Sequence, residues 1–191
     1  MGKQAKTLTA TEVRRVLDYV ATRKHSARNR AIVLTSFYAG LRAKEMAMLR
    51  YCDVLDSEGR VQKEIWLAKE QTKGNEGRKI FVNDRLQKEL QQYVKAVPPK
   101  SVTDRLFYSQ KADSVGFSGN SLAQYFHYLY KRAGLDGASS HSGRRTFITN
   151  LAERGVGVRV IMGLSGHRAL SSVQRYIDCN DNLLRKAVEL I

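Results

Sequence analysis

The hydrophobic period limits this fold more than any other feature, because it is helical along most of the chain and alternates in one stretch only. Leu8, Thr9, Glu12 and Val13 have the form of a capping box with a hydrophobic staple, Thr9 as N-cap and Glu12 at N3, and Val13, Val16, Leu17 and Val20 then mark one buried face. A second helix is predicted over 28–39, with Ile32, Val33 and Phe37 inward and Gly40 ending it. A short third helix is predicted over 43–50, with Met46 and Leu49 toward the core and Arg42 projecting from its first turn. Between 54 and 82 the period falls to two. Residues 64–67 and 78–82 read as strands, and the Gly- and Asn-rich run from Gln71 to Gly77 reads as the hairpin turn that carries Lys73. Asp84 is expected to cap a helix that runs to Val97, where Pro98 and Pro99 stop it. Further helices are expected over 121–133, on Leu122, Tyr125, Phe126 and Leu129, and over 142–154, on Phe147, Ile148 and Leu151, with Gly155 as C-cap. The pattern predicts a mainly α fold with a small antiparallel β-sheet, and it shows no repeat, low-complexity tract or linker.

Charge narrows the partner. The chain has 33 Lys plus Arg against 18 Asp plus Glu, a formal net charge of +15 on 191 residues. That excess gives sequence-independent, salt-sensitive attraction to a polyanion, although ribosomal proteins and anionic-membrane binders share it. Cys52 and Cys179 make neither a metal-ligand spacing nor a disulfide framework, so a reduced cytoplasm is the expected setting. No apolar run suits a signal peptide or a membrane span.

The residues that can do chemistry come in a fixed order: Arg42 and Glu45 after Ala39-Gly40-Leu41, Lys73 in the hairpin turn, His141 and Arg144 at a helix start, His167 after Ser165-Gly166, and Tyr176 after eight intervening residues. Taken singly each has an ordinary reading: a solvated arginine, an inert turn lysine, a loop histidine, one of nine tyrosines. Together they suit a phosphodiester. An arginine fork matches two phosphate oxygens at once, a histidine can donate a hydrogen bond or carry a proton near neutral pH, and a phenol can attack phosphorus. In order and spacing the set resembles the tyrosine recombinase (phage integrase) family, over most of the chain.

That resemblance implies roles. Tyr176 would be the nucleophile that forms a 3′-phosphotyrosine and frees a 5′-hydroxyl. Arg42 and Arg144 would clamp the non-bridging oxygens. His141 would handle the proton, His167 would donate to the phosphate, Lys73 would protonate the leaving 5′-oxygen and Glu45 would buttress an arginine. No metal and no other cofactor is implied, since the covalent link stores the bond energy. The polar face of the 121–133 helix, with Gln124, His127 and Lys131, is a candidate DNA-reading surface, as is Arg145, which stands where the family often has a second histidine. Ser165 replaces a usual leucine.

The expected organisation is an N-terminal tail over 1–7 followed by a catalytic domain over 8–191, without the N-terminal core-binding domain of typical integrases. A short natural enzyme similar in length to fimbrial phase-switch invertases fits this, and so does a fragment. The expected function is site-specific recombination of double-stranded DNA encoded by a bacterium, phage, plasmid or other mobile element. The alternatives are DNA relaxation of the type IB topoisomerase kind and a purely architectural DNA-binding protein. After the nucleophile, Leu183, Leu184, Ala187, Val188 and Ile191 fall on one helical face. The stripe can be buried in its own domain, or exchanged with a neighbour in a tetramer on two duplexes, the free protein being monomeric or weakly associated.

Overall fold

The computed structural model describes residues 4–72, 76–110, 115–174 and 176, together with 184, 185, 188 and 189. The helices are α1 (Ala10–Ala21), α2 (Ser26–Ala39), α3 (Ala43–Met48), α4 (Tyr51–Val54), α5 (Asp84–Ala96), α6 (Gly119–Arg132), α7 (Ser142–Glu153), α8 (Val158–Ser165) and α9 (Leu170–Gln174), with strands β1 (Glu64–Leu67) and β2 (Arg78–Phe81) between α4 and α5. No helix among the described residues is long and apolar enough to cross a membrane.

α1 starts at the expected capping box: the Glu12 N–H donates to Thr9 Oγ1 at 3.2 Å and the Thr9 N–H to Glu12 Oε2 at 2.9 Å. The expected one-sided α2 is a central helix instead. It begins two residues earlier than expected, and Arg28, Asn29, Ala31 to Ser36 and Ala39 are buried, because α1, α3, α5 and α7 surround it. A helix buried on every side loses its polar face, so periodicity alone marks too few of its inward positions. α3 ends at Met48, not Arg50, and a separate single turn, α4, follows. The cap of α5 is Asn83, whose Oδ1 accepts the Leu86 N–H at 2.8 Å, while Asp84 is the first residue of the helix and pairs with Lys63. α7 closes on Arg154 as C-cap, with the Gly155 N–H on the Ala152 carbonyl and the Val156 N–H on the Leu151 carbonyl.

The two strands are antiparallel, with Glu64 opposite Phe81, Ile65 opposite Ile80, Trp66 opposite Lys79 and Leu67 opposite Arg78. Opposed residues share a face, so Ile65, Leu67, Ile80 and Arg78 point to the protein while Trp66 and Phe81 face solvent. The main core gathers apolar residues from α1 to α6 and the sheet. A second small cluster of Ile148, Ala152, Ile161 and Val173 joins α7, α8 and α9. The segment expected as a tail is fastened to α7 over 4–8: the Leu8 N–H donates to Thr146 Oγ1 at 2.8 Å, and Arg145 donates to Thr7 at 3.0 Å and Gln4 at 2.6 Å.

Candidate active site

Two glycines shape the backbone here. Gly40 ends α2 at φ 60°, and a Cβ on it would stand 2.5 Å from the Phe147 ring, so only glycine lets α2 turn this sharply against α7. Gly166 ends α8 at φ 65°, and a Cβ there would stand 2.8 Å from Arg78 Cδ. Its N–H and that of His167 both bond the Met162 carbonyl, so the chain reverses and delivers His167 inward.

The turn at the end of α8 organises three arginines. A helix C-terminus leaves carbonyls without intrahelical donors, at the negative end of the dipole. Three in succession accept from guanidinium groups of three different elements: Leu164 from Arg78 Nη1 at 3.0 Å, Ser165 from Arg144 Nη2 at 2.6 Å and Gly166 from Arg42 Nη2 at 3.3 Å. Arg144 also donates to the Gly40 carbonyl at 2.8 Å, which ties it to the end of α2. Glu45, fully buried, joins the other two. Its Oε1 accepts from Arg42 Nη1 at 2.8 Å, and its Oε2 accepts from the Arg42 N–H at 2.8 Å and from Arg78 Nη2 at 3.0 Å. Burial by itself would raise the Glu45 carboxyl, but the charges and hydrogen bonds of Arg78 and Arg42 outweigh it and hold the group below the usual carboxylate range. Three cations against one anion leave the cluster with a surplus of positive charge.

Arg144 bears most of that surplus. It is 4% exposed, and burial together with the nearby charges of Arg42 and Arg78 pushes its pKa down to about 9, against the opposite pull of Glu45. A guanidinium keeps its proton at any pH where the protein is folded, so the depression reflects burial and the like charges beside it rather than a neutral Arg144. His167 is pushed down to about 4 by burial and by Arg144, Arg42 and Arg78, and it is therefore neutral at pH 7. The Ser165 hydroxyl gives its hydrogen to the Ile161 carbonyl at 2.6 Å, so it accepts from His167 Nδ1 at 2.8 Å, and His167 Nε2 then faces Arg144 Nη2 at 3.2 Å as an acceptor. The serine that replaces a usual leucine thus sets the tautomer of the next site residue but one.

Tyr176 is half-buried against the α7–α8–α9 cluster, its ring 6.0 Å from that of His167 and under the Arg145 guanidinium at 5.2 Å. His141, exposed, is the N-cap of α7, one turn before Arg144. A half-open cleft of about 610 Å³ is lined by Arg42, Glu45, Arg78, Gly166 and His167, with Thr72 and Glu76 on its rim. The Thr72 hydroxyl donates to the Glu76 carbonyl at 2.8 Å and Lys44 donates to the Thr72 carbonyl at 3.0 Å. Lys73 itself lies outside the described residues, as do Leu183, Ala187 and Ile191 of the C-terminal stripe. Gln124, His127 and Lys131 are exposed on α6 and are not among the residues that line the cleft.

The structure therefore brings together Arg42, Glu45, Arg144, His167 and Tyr176. It adds Arg78, the first residue of the second predicted strand. The signal was present: Arg78, Ile80 and Val82 alternate on one face, and a cation in an apolar row needs a partner.

Comparison with known proteins places the chain in a family. Residues 6–182 match the model of the phage integrase family. The chain is 32% identical to the tyrosine recombinase XerA of Thermococcus kodakarensis over 188 residues, covering 96% of this chain and 62% of that protein. Against XerA of Pyrococcus furiosus the identity is 29% over 185 residues, covering 96% of this chain and 61% of the relative, so the chain spans about three fifths of the curated relatives it matches. Its fold is similar to a crystal structure of XerA recombinase, with a TM-score of 0.77 at 24% identity over 100% of this chain and 66% of that one. It is also similar to the catalytic domain of bacteriophage HP1 integrase, with a TM-score of 0.69 at 19% identity over 97% of this chain and 95% of that one. A third similar fold, with a TM-score of 0.76 at 19% identity over 100% of this chain and 67% of that one, is the Tn1549 transposon integrase in complex with a circular intermediate DNA. With its sequence matched almost end to end and its fold that of tyrosine recombinase catalytic domains, the chain belongs to the phage integrase family.

Proposed function

We propose that this chain is the catalytic domain of a site-specific recombinase that breaks and rejoins double-stranded DNA through a 3′-phosphotyrosine at Tyr176. The observation that carries the reading is the convergence of Arg42, Arg144 and His167 beside Tyr176, at a cleft that Arg42 and His167 line. A phosphate brings the missing anion. Tyr176 Oη forms a bond to phosphorus while the bond from phosphorus to O5′ breaks. The phenolic proton passes to His141, and the leaving O5′ takes one from Lys73, whose loop begins and ends on the cleft rim at Thr72 and Glu76. Arg42 and Arg144 hold the non-bridging oxygens, where negative charge grows as five-coordinate phosphorus develops, and their carbonyl and carboxylate partners fix them beforehand. His167 joins as a phosphate donor from Nε2 once it takes up a proton or once Ser165 turns its hydrogen toward Nδ1. Reversal by the 5′-hydroxyl of another strand completes exchange. The work fits a cytoplasmic protein.

Gln124, His127 and Lys131 supply an exposed polar face for the duplex. Arg145 contributes from α7 once it gives up Gln4 and Thr7. Assembly on two duplexes as a tetramer uses the C-terminal stripe, of which Leu184 is 54% and Val188 69% exposed and so available to a neighbour. A duplex nicked just 3′ of the scissile phosphate tests the reading. Covalent protein–DNA product is expected from the parent and none from Tyr176→Phe, with binding kept. Strand exchange between two duplexes is expected, and it should suffer more than single-site cleavage when 182–191 are removed. Binding without covalent product supports an architectural protein instead, and relaxation without exchange supports a topoisomerase.

A further inference from the structure

Arg78 is the residue of the cluster that the proposed chemistry leaves without a task. It enters the site from β2, on the same face as Ile80, and its side chain is 13% exposed. Its two terminal nitrogens go to different parts of the site: Nη2 to Glu45 Oε2 and Nη1 to the Leu164 carbonyl, each at 3.0 Å. Glu45 is the carboxylate that holds both the backbone N–H and the guanidinium of Arg42. Leu164 begins the turn that delivers His167, and Gly166 is pressed so closely on Arg78 Cδ and Nε that no side chain fits between them. The Nε, buried, has no hydrogen-bond partner among the described residues, so the whole hold of Arg78 on the site runs through its two terminal nitrogens. It spans the gap between α3 and the end of α8, and only a planar fork can hold both acceptors at once.

We propose that Arg78 is a positioning residue for phosphoryl transfer, which orients the Arg42 guanidinium through Glu45 and the His167 turn through the Leu164 carbonyl before the phosphate arrives. This rests on the reading of Arg42 and His167 as phosphate-binding groups. Without Arg78 the Glu45 carboxylate is held by Arg42 alone, with no tie to a second element, and the end of α8 loses one of its three cationic ties. A misplacement of the clamp by about 1 Å is enough to slow a transfer step by about 100-fold. The nearby charge matters less than the fork. Lysine keeps the charge but makes a single point contact, and it cannot tie Glu45 and Leu164 together.

The test is single-turnover cleavage of the nicked duplex by the full chain, with DNA affinity and thermal unfolding measured alongside. Arg78→Met is expected to slow covalent-complex formation by about 100-fold with affinity within about threefold, and Arg78→Lys to recover little of the rate. Where the methionine variant fails to fold, Arg78→Lys and Arg78→Gln carry the same test. In the Arg42→Ala background, removing Arg78 is expected to cost less than about threefold more, because residues that act through one another are not additive. A 5′-phosphorothiolate, whose sulfur leaves without an acid, is expected to leave the Arg78 defect in place and to relieve Lys73→Ala. Full rescue by lysine, full additivity with Arg42→Ala or relief by the phosphorothiolate each overturns the positioning role. If Arg42→Ala itself cleaves at the parent rate, the phosphate clamp fails, and this inference falls with it.

Discussion

Two buried arginines, Arg28 and Arg144, are 2% and 4% exposed, and they are held in opposite ways. Arg28, near the start of α2, has Asn29 Oδ1 on its Nε at 3.1 Å and Nη2 at 2.8 Å, the Tyr108 carbonyl on Nη1 at 3.0 Å, and the rings of Tyr108, Phe117 and Tyr125 at 4.8, 5.3 and 6.0 Å. Burial lowers its pKa, and only aromatic hydroxyls act against that. Its direct partners are neutral and electron-rich. Arg144, at the other end of α2, has carbonyls too, but Arg42 and Arg78 crowd it, and their like charge adds to burial. Arg28 and Gly40, whose carbonyl Arg144 of α7 meets, are about 12 residues apart along α2, or ~18 Å. One end of the helix thus carries a buried arginine among neutral partners, and the other end meets one crowded by like charge. The contrast shows how a fold can store affinity for an anion: neutral partners settle a buried arginine, while clustered arginines leave a demand that an incoming phosphate meets.

The largest expected effect divides the pair by function. Arg144→Lys should slow covalent cleavage by about a thousandfold, since one preorganised donor to a developing oxyanion is worth that much, while the thermal midpoint stays within a few degrees of the parent. A variant that loses stability and keeps its cleavage rate would erase the distinction. The next effect is the mirror image. Arg28→Met should destabilise the fold by about 2 kcal/mol, because it strips Asn29 and the Tyr108 carbonyl of a buried donor, and it should leave cleavage per folded molecule within about twofold. Denaturant unfolding and the single-turnover assay, run on one preparation, check both halves.

The smallest effect concerns protons. His167 titrates near 4 in the folded protein against an ordinary 6.5, so the unfolded chain binds the extra proton between those values. Stability from this group is complete above about pH 6.5 and is lost as the pH falls toward 4. Filling the cleft with a phosphodiester cancels the arginine charges that depress the imidazole. Its pKa should therefore rise when DNA binds, with proton uptake in weakly acidic buffer. Imidazole resonances followed through a pH titration with and without duplex show this, and an unchanged value with DNA bound would mean that the phosphate does not meet the cluster.

Much of this molecule is legible in the residue pattern, and the parts that are not have physical reasons. α1, α5 and α6 have one wet face each, so their period shows, whereas α7 is buried or half-buried from Ser142 to Ala152. α2 is exposed only at Arg30, and its buried set exceeds what Ile32 and Val33 announce, while Phe37 is half-buried. α8 and α9 span eight and five residues, too few for a period to stand out, and they are held by the Ile148 cluster. In the site, Arg42, Arg144, His167 and Tyr176 are readable because side-chain identity carries their chemistry. The three carbonyls of Leu164, Ser165 and Gly166 are backbone atoms that any residue supplies, so only the fold reveals that they gather the arginines. Arg78 lies between these cases, visible in the strand alternation but meaningful only once Glu45 is found opposite it.

The most direct measurement is the position of the covalent bond. Tyr93 and Tyr130 are enclosed in the core, where burial raises their hydroxyls, and Tyr51 Oη is tied to the Val97 carbonyl at 2.7 Å. Of these, none shares the neighbourhood of Arg144 and His167 that Tyr176 has. Protease digestion of the complex trapped on a nicked duplex, followed by mass spectrometry of the DNA-linked peptide, should place the phosphate on Tyr176. An adduct on any other tyrosine, or one that survives in Tyr176→Phe, would contradict the account.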